Sequence, residues 1–246
     1  MEIIFLGIVQ GLTEFLPISS SGHLYLIKNY LGMSGNLLPF FVFLHFVTLL
    51  AVCIFLRKEI IKTLTNKKLL IHIGIITAIT AALGLFIDMF AKNLFDSKYF
   101  VSFFLLLNAG ILLKTRNAPE KKDRDAFKLK DALIMGALQG FAVLPGISRS
   151  GITIAGLLKR GFKAKEAFTL SFLMAIPIIS LVSLLKVKEF LNSVVPLADM
   201  VKGGIAAFLF GILALFIVRK MLISKNFDKF GYYCLVIAFL SLILNR

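Results

Sequence analysis

The 246 residues contain no tryptophan, two cysteines and three histidines, and only 17% of them are charged. So little charge, set against an apolar share of 59% and a mean hydropathy of +0.91, excludes a soluble globule, in which the apolar share is roughly 45–50%. The chain belongs in a lipid bilayer. Cys53 and Cys234 stand in separate apolar runs with no CxxC spacing, which excludes a thiolate metal site and a disulfide framework, so they read as small hydrophobes. Acid is scarce as well, with 13 Asp and Glu against 28 Lys and Arg and a net charge of +15. The basic residues fall in short blocks between apolar runs and form no single arm or patch, so no nucleic-acid partner is expected. The opening Met1-Glu2-Ile3-Ile4 lacks the basic start of a signal peptide, and the first segment is expected to be retained.

Apolar runs at 39–56, 69–91, 98–114, 167–185, 201–218 and 230–245 are each long enough for a helix to cross roughly 30 Å of hydrocarbon. They predict six transmembrane helices. Two more apolar stretches, 1–33 and 132–157, are broken near the middle by Pro, Gly and Ser and read as re-entrant helix hairpins. The expected fold is therefore an all-α, polytopic membrane protein forming one domain over 1–246. Irregular backbone at membrane depth survives only where protein or a water-filled cavity surrounds it, so each hairpin should line a cavity.

The two broken stretches are related. Gln10-Gly-Leu-Thr-Glu-Phe-Leu-Pro-Ile-Ser-Ser-Ser-Gly22 aligns with Gln139-Gly-Phe-Ala-Val-Leu-Pro-Gly-Ile-Ser-Arg-Ser-Gly151 at a constant offset of 129, with Pro displaced by one. Residues 1–114 and 132–246 thus read as two repeats of a hairpin and three spans, joined by a linker at 115–131. Three spans is an odd number, so the second repeat is inverted. Segments 57–68, 114–131, 159–166 and 219–229 hold 20 of the 28 Lys and Arg, whereas 34–38, 92–97 and 186–200 hold Lys92, Lys186 and Lys188 alone. By the positive-inside rule the basic segments are cytoplasmic, and the hairpins enter from opposite faces with their tips meeting near the midplane.

Ionisable groups inside membrane spans are costly and are functional candidates by default. Three of the six, Glu14, His23 and Arg149, fall in the repeated motifs; the others are His45, His72 and Asp88. Gln10 and Glu14, four residues apart, share a helix face. Their oxygens could hold a divalent cation, Mg²⁺ or Ca²⁺ by donor type, or simply bond between helices. The turn Ser19-Ser20-Ser21-Gly22-His23 gathers three hydroxyls and an imidazole where backbone amides start a new helix, a setting suited to an anion. Arg149, between Ser148 and Ser150, carries a guanidinium that matches phosphate oxygens, and also suits an ion pair with Glu14. His45, His72 and Asp88 are assigned no role, although His45 aligns with Ser171 across the repeat.

At these residues the sequence resembles the undecaprenyl-diphosphatase family of integral-membrane enzymes linked to bacitracin resistance. The match runs along the whole chain and rests on Gln10…Glu14 leading into Pro17-Ile-Ser-Ser-Ser-Gly-His23, and on Pro145-Gly-Ile-Ser-Arg-Ser-Gly151. The resemblance implies hydrolysis of undecaprenyl diphosphate to the monophosphate and phosphate, recycling the lipid carrier of cell-wall synthesis. It also implies a divalent-cation requirement, a multi-pass location in the bacterial inner membrane and an active site open to the outer, periplasmic face. Carried over residue by residue, the functional positions are Gln10, Glu14, Ser20, His23 and Arg149, and Gln10 departs from the Glu found in many members.

On this reading Arg149, with Ser19, Ser20, Ser21, Gly22, Ser148 and Ser150, binds the phosphates. His23 is a nucleophile or general base, or else Ser20 is the nucleophile with His23 as its base. The partners are a polyprenyl diphosphate and membrane lipids, and no oligomeric state is read. Two rival classes remain: a lipid carrier, since inverted repeats with broken helices suit transporters, and an acid-phosphatase type of enzyme. The latter needs a further histidine downstream, and none follows His72.

Overall fold

A computed structural model describes residues 2–30, 37–91, 97–188 and 195–244. Of the connections expected on the outer side, residues 34–36, 92–96 and 189–194 lie outside them. The described residues form helices α1 (Glu2–Phe15), α2 (Ser20–Tyr30), α3 (Leu38–Phe55), α4 (Arg57–Leu64), α5 (Lys67–Ala91) and α6 (Lys98–Leu113). After a short 3₁₀ turn come α7 (Leu129–Phe141), α8 (Arg149–Lys159), α9 (Ala164–Leu185), α10 (Leu197–Ile223) and α11 (Lys229–Leu244). The only β feature among them is an isolated bridge between Lys122 and Phe162.

Helices α5, α9 and α10 are long and apolar enough to cross a bilayer, and α3 and α4 form a fourth apolar unit bent by 78° at Leu56. The described parts of α6 and α11 have 16 residues each. At 1.5 Å per residue that is about 24 Å, close to the lengths of the runs 98–114 and 230–245 and short of roughly 30 Å of hydrocarbon. The phenylalanines divide between core and surface: Phe15, Phe40, Phe162 and Phe172 are fully buried, whereas Phe86, Phe103, Phe216 and Phe239 face outward.

Helix contacts come in pairs that exchange when the two halves are exchanged. The first arm of each hairpin packs on the second long helix of the other half, α1 on α10 and α7 on α5; α6 packs on α11, and α3 on α9. The arms approach closely because each carries two glycines one turn apart, Gly7 and Gly11 on α1 and, at the same offset of 129, Gly136 and Gly140 on α7. A Cβ at Gly7 or Gly11 would strike the carbonyls of Gly203 or Ala207, and at Gly136 or Gly140 it would meet Ile79 at 2.9 Å or Leu83 at 2.7 Å. Small residues at this spacing let helix backbones meet where lipid offers no hydrophobic drive.

Both hairpins break in the same way. Pro17 ends the run after α1, and Ser19, at φ 70°, turns the chain into α2; Pro145 and Gly146, at φ 105°, do so before α8. Each new helix is capped by a serine at matching positions: Ser19 Oγ accepts the Gly22 amide at 3.3 Å, and Ser148 Oγ accepts the Gly151 amide at 3.1 Å. The tips also touch, because Ser19 Oγ accepts the Gly146 amide at 3.1 Å. Asn108, fully buried on α6, spans the contact: its Nδ2 donates to the Pro17 carbonyl at 2.9 Å and its Oδ1 accepts the Ser148 amide at 3.1 Å.

Candidate active site

Glu14, in the last turn of α1, is the centre of the polar cluster. Its Oε2 accepts Gln10 Nε2 at 3.0 Å from one turn earlier, as the spacing of four predicts, and the Ser20 hydroxyl at 2.8 Å from across the hairpin break. The same oxygen lies 3.3 Å from His45 Nε2 on α3. Oε1 accepts Arg149 Nη2 at 3.0 Å from the other hairpin. The Glu14 side chain is 8% exposed and that of Arg149 14%. A buried carboxylate and a buried guanidinium offset each other's loss of hydration only when paired in this way. Arg149 also lies 5.8 Å over the Phe172 ring.

Of the expected site residues the structure brings Gln10, Glu14, Ser20 and Arg149 together. His23 takes different partners. Its Nδ1 is 2.8 Å from the Ser19 carbonyl, which can only accept, so Nδ1 carries a proton; in the neutral ring Nε2 is then the acceptor for the Tyr233 hydroxyl at 2.9 Å. The two rings stack with centroids 5.7 Å apart and 9° between planes. Both imidazole nitrogens are therefore engaged, and the Ser20 hydroxyl points to Glu14.

The remaining serines belong largely to the tips. Ser19, Ser148 and Ser150 are buried; the first two cap helices, and the Ser148 and Ser150 hydroxyls lie 3.5 and 3.4 Å from the Leu16 carbonyl. Gly22, buried, donates its amide to Ser19. Ser21 is exposed, with its oxygen 3.3 Å from that of Ser19.

Arg149 and His45 line a cavity of about 270 Å³ together with Thr80 and Gln139, under a largely apolar wall from α3 and α9. A second, almost wholly apolar cavity of about 330 Å³ adjoins it between the same helices, sharing Val42 and Ser183 and reaching the outward-facing Phe46 and Leu184. Among the described residues three buried side-chain atoms at this centre have no partner: Arg149 Nη1, Gln10 Oε1 and Gln139 Oε1. A buried guanidinium nitrogen without an acceptor is costly, and it lies beside a cavity that an anion could enter.

Residues 3–240 match the family of the bacitracin resistance protein BacA. The chain is 41% identical over 250 residues to an undecaprenyl-diphosphatase of Thermosipho africanus, covering 98% of each. To proteins of the same name it is 39% identical in Methanococcus vannielii, covering 95% of this chain and 96% of that one, and 37% identical in Halothermothrix orenii, covering 99% and 97%. The chain belongs to the BacA family.

Three residues of this polar cluster were not assigned from sequence. Tyr233 has no signal of its own in an apolar run. Asn108 shares an apolar helix with one other small polar residue, Ser102, a pattern that can be noticed but not interpreted locally. His45 was noted as an intramembrane ionisable group that aligns with Ser171 but was given no role, and the structure places its Nε2 3.3 Å from Glu14.

Proposed function

We propose that the protein hydrolyses undecaprenyl diphosphate to undecaprenyl phosphate and inorganic phosphate within the membrane, which recycles the lipid carrier of cell-wall synthesis and accounts for the bacitracin resistance in the family's name. One observation carries the reading. A single buried carboxylate, Glu14, holds both a serine hydroxyl and a guanidinium whose other nitrogen is unpartnered beside a cavity that runs on into an apolar one. The polar end suits a diphosphate and the apolar extension suits a prenyl chain.

In this reading Ser20 Oγ attacks the terminal phosphorus while its proton passes to Glu14 Oε2, 2.8 Å away. The new O–P bond forms as the bridging P–O bond breaks, and undecaprenyl phosphate leaves. Water then attacks the phosphoserine, releasing phosphate and restoring the hydroxyl. Arg149 Nη1 takes a phosphoryl oxygen and offsets the charge that spreads over it in the transition state. Ser19, Ser148 and Ser150 act by holding the hairpin tips, and His23 as a neutral imidazole that fixes α2 below Ser20.

A divalent cation fits the residues present. Gln10 Oε1 is a buried oxygen without a partner, one turn from Glu14, and the two would hold Mg²⁺ or Ca²⁺. When bound, the ion supplies further charge neutralisation on the phosphates. Gln10 also does what a glutamate cannot do at neutral pH, since its amide donates to Glu14.

We read the architecture as six spans and two re-entrant hairpins in an inverted repeat over 1–114 and 132–246, in the cell membrane, with the site open toward the outer side. The exchanging helix contacts support the repeat, and Lys186 at the rim of the catalytic cavity, opposite the basic segments, supports the orientation. Phosphate release from undecaprenyl diphosphate by the purified protein in detergent micelles tests the function. Micelles have no compartments, so turnover that Ser20→Ala abolishes is expected of the enzyme. Absence of turnover in the folded wild type would favour a carrier.

A further inference from the structure

The Lys- and Arg-rich end of the molecule carries a second kind of cavity, different in composition from the one beside Arg149 and set at the opposite ends of α3 and α9. It lies where α3 bends into α4, between the start of α9 and the last turns of α10, and measures about 500 Å³. Arg57, Lys58, Lys165 and Arg219 line it, contributed by three separate stretches of chain. A positive-inside bias explains cations in loops; it does not explain four of them converging from α4, α9 and α10 on one hollow. The one acid lining it, Glu59, is taken by Arg124 at 2.9 Å and Lys62 at 3.7 Å. Burial works to raise the Glu59 carboxyl, and Arg124, Lys62 and Lys165 override it and hold it below the usual carboxylate range, so the carboxylate keeps its cations. The hollow is thus left with an excess of positive charge.

Its inner wall is aromatic. Phe55 packs edge-on against Phe216 at 4.9 Å and against Phe168 at 6.0 Å, and Phe216 is 57% exposed on the outward face. Basic rim and apolar wall together match a molecule with an anionic head and a hydrocarbon tail. The other polar cavity at this end has the opposite character: Arg116 and Lys225 are balanced there by Glu120 and Asp228.

We propose that the hollow between α4, α9 and α10 is a binding site for an anionic phospholipid, with the phosphate among Arg57, Lys58, Lys165 and Arg219 and the chains along Phe216. Basic pockets between helices at a membrane edge bind phosphate headgroups in this way.

The absence of tryptophan from the chain supplies the test. The Phe216→Trp protein, reconstituted in phosphatidylcholine vesicles, reports bound lipid through quenching by brominated phosphatidylglycerol or brominated phosphatidylcholine. Phe239→Trp, also outward-facing, reports the general lipid surface. Brominated phosphatidylglycerol is expected to be preferred about five-fold or more at position 216 and equally favoured with phosphatidylcholine at 239, with each of Lys165→Gln and Arg219→Gln lowering the preference about five-fold. Phosphate release in detergent should be unchanged in these two variants, which shows that they fold. Equal quenching by the two lipids at 216, the same preference at 239, or a preference that survives both Gln variants would each overturn the site. Relief of the quenching by undecaprenyl phosphate at a lower mole fraction than by unbrominated phosphatidylglycerol would overturn the choice of occupant and assign the hollow to a prenyl phosphate.

Discussion

Tyr233 of α11 donates its phenolic proton to Nε2 of His23 on α2, 210 residues away, and lies flat against the imidazole at 5.7 Å. The contact ties the end of the second repeat to the hairpin of the first, three residues past Ser20. Tyr233→Phe keeps the stack and removes the proton. Phosphate release is expected to fall about 2–10-fold, the worth of one hydrogen bond, with KM unchanged. Adding His23→Ala should make the protein no slower than His23→Ala alone, because the hydroxyl acts through the imidazole.

Ser20 and His23 are separated by chemistry as well as by partner. A phospho-enzyme trapped by rapid acid quench should carry its phosphate at Ser20 when mapped by mass spectrometry. Phosphohistidine at residue 23 would show that the imidazole leaves Tyr233 and attacks, and would remove Glu14 as the proton acceptor.

Arg149→Lys tests the guanidinium apart from its charge. Lysine can keep the pair with Glu14 but cannot also present a second fixed nitrogen to the cavity. The variant is expected to remain folded, as judged by its thermal transition in detergent, while phosphate release drops about 100-fold or more. Arg149→Ala should in addition lower stability by about 3–5 kcal/mol, since it leaves the Glu14 carboxylate buried without its cation.

The cation reading predicts a specific response at Gln10. Chelation should stop turnover, and Mg²⁺ or Ca²⁺ should restore it. In Gln10→Glu the amide donor to Glu14 is lost and a second carboxylate takes its place. The concentration of cation giving half-maximal phosphate release is expected to fall, so that activity at limiting cation exceeds that of the parent.

Asn108 predicts a stability effect without any chemistry. Asn108→Ala orphans the Pro17 carbonyl and the Ser148 amide in a buried place, at a cost of about 1–3 kcal/mol for each group. Asn108→Asp should cost more, because a carboxylate still accepts from Ser148 but faces the Pro17 carbonyl with no proton to offer. Thermal transitions of the two variants in one detergent give the order.

What was legible in the sequence was local. Pro17, Pro145 and Gly146 announce broken helices because each restricts or frees its own backbone, and Gln10 and Glu14 announce a shared face because a helix turn separates them. The likeness of the two broken segments was legible because Gln, Gly, Ile and Ser recur at one offset. The contacts of His23 were not, since nothing near residue 23 or 233 records that a phenol and an imidazole meet across 210 residues. Nor was the division of labour among the serines: Ser19 and Ser20 are adjacent and chemically alike, and only the positive φ at Ser19 sends one into the tip contact and leaves the other to Glu14. The shared motif GxxxG on α1 and α7 lay in plain view, but its meaning rests on which helix each arm meets.

Ser19 Oγ receives two amides, one from its own helix and one from the opposite hairpin. A single oxygen thus serves as hinge pin for both halves, so neither can tilt away from the other without uncapping α2 and moving Ser20 off Glu14. Carriers with crossed hairpins work by letting such halves rock. Here the same tilt that would let the halves rock would also take Ser20 off Glu14, so in the proposed mechanism rocking and catalysis compete for one contact.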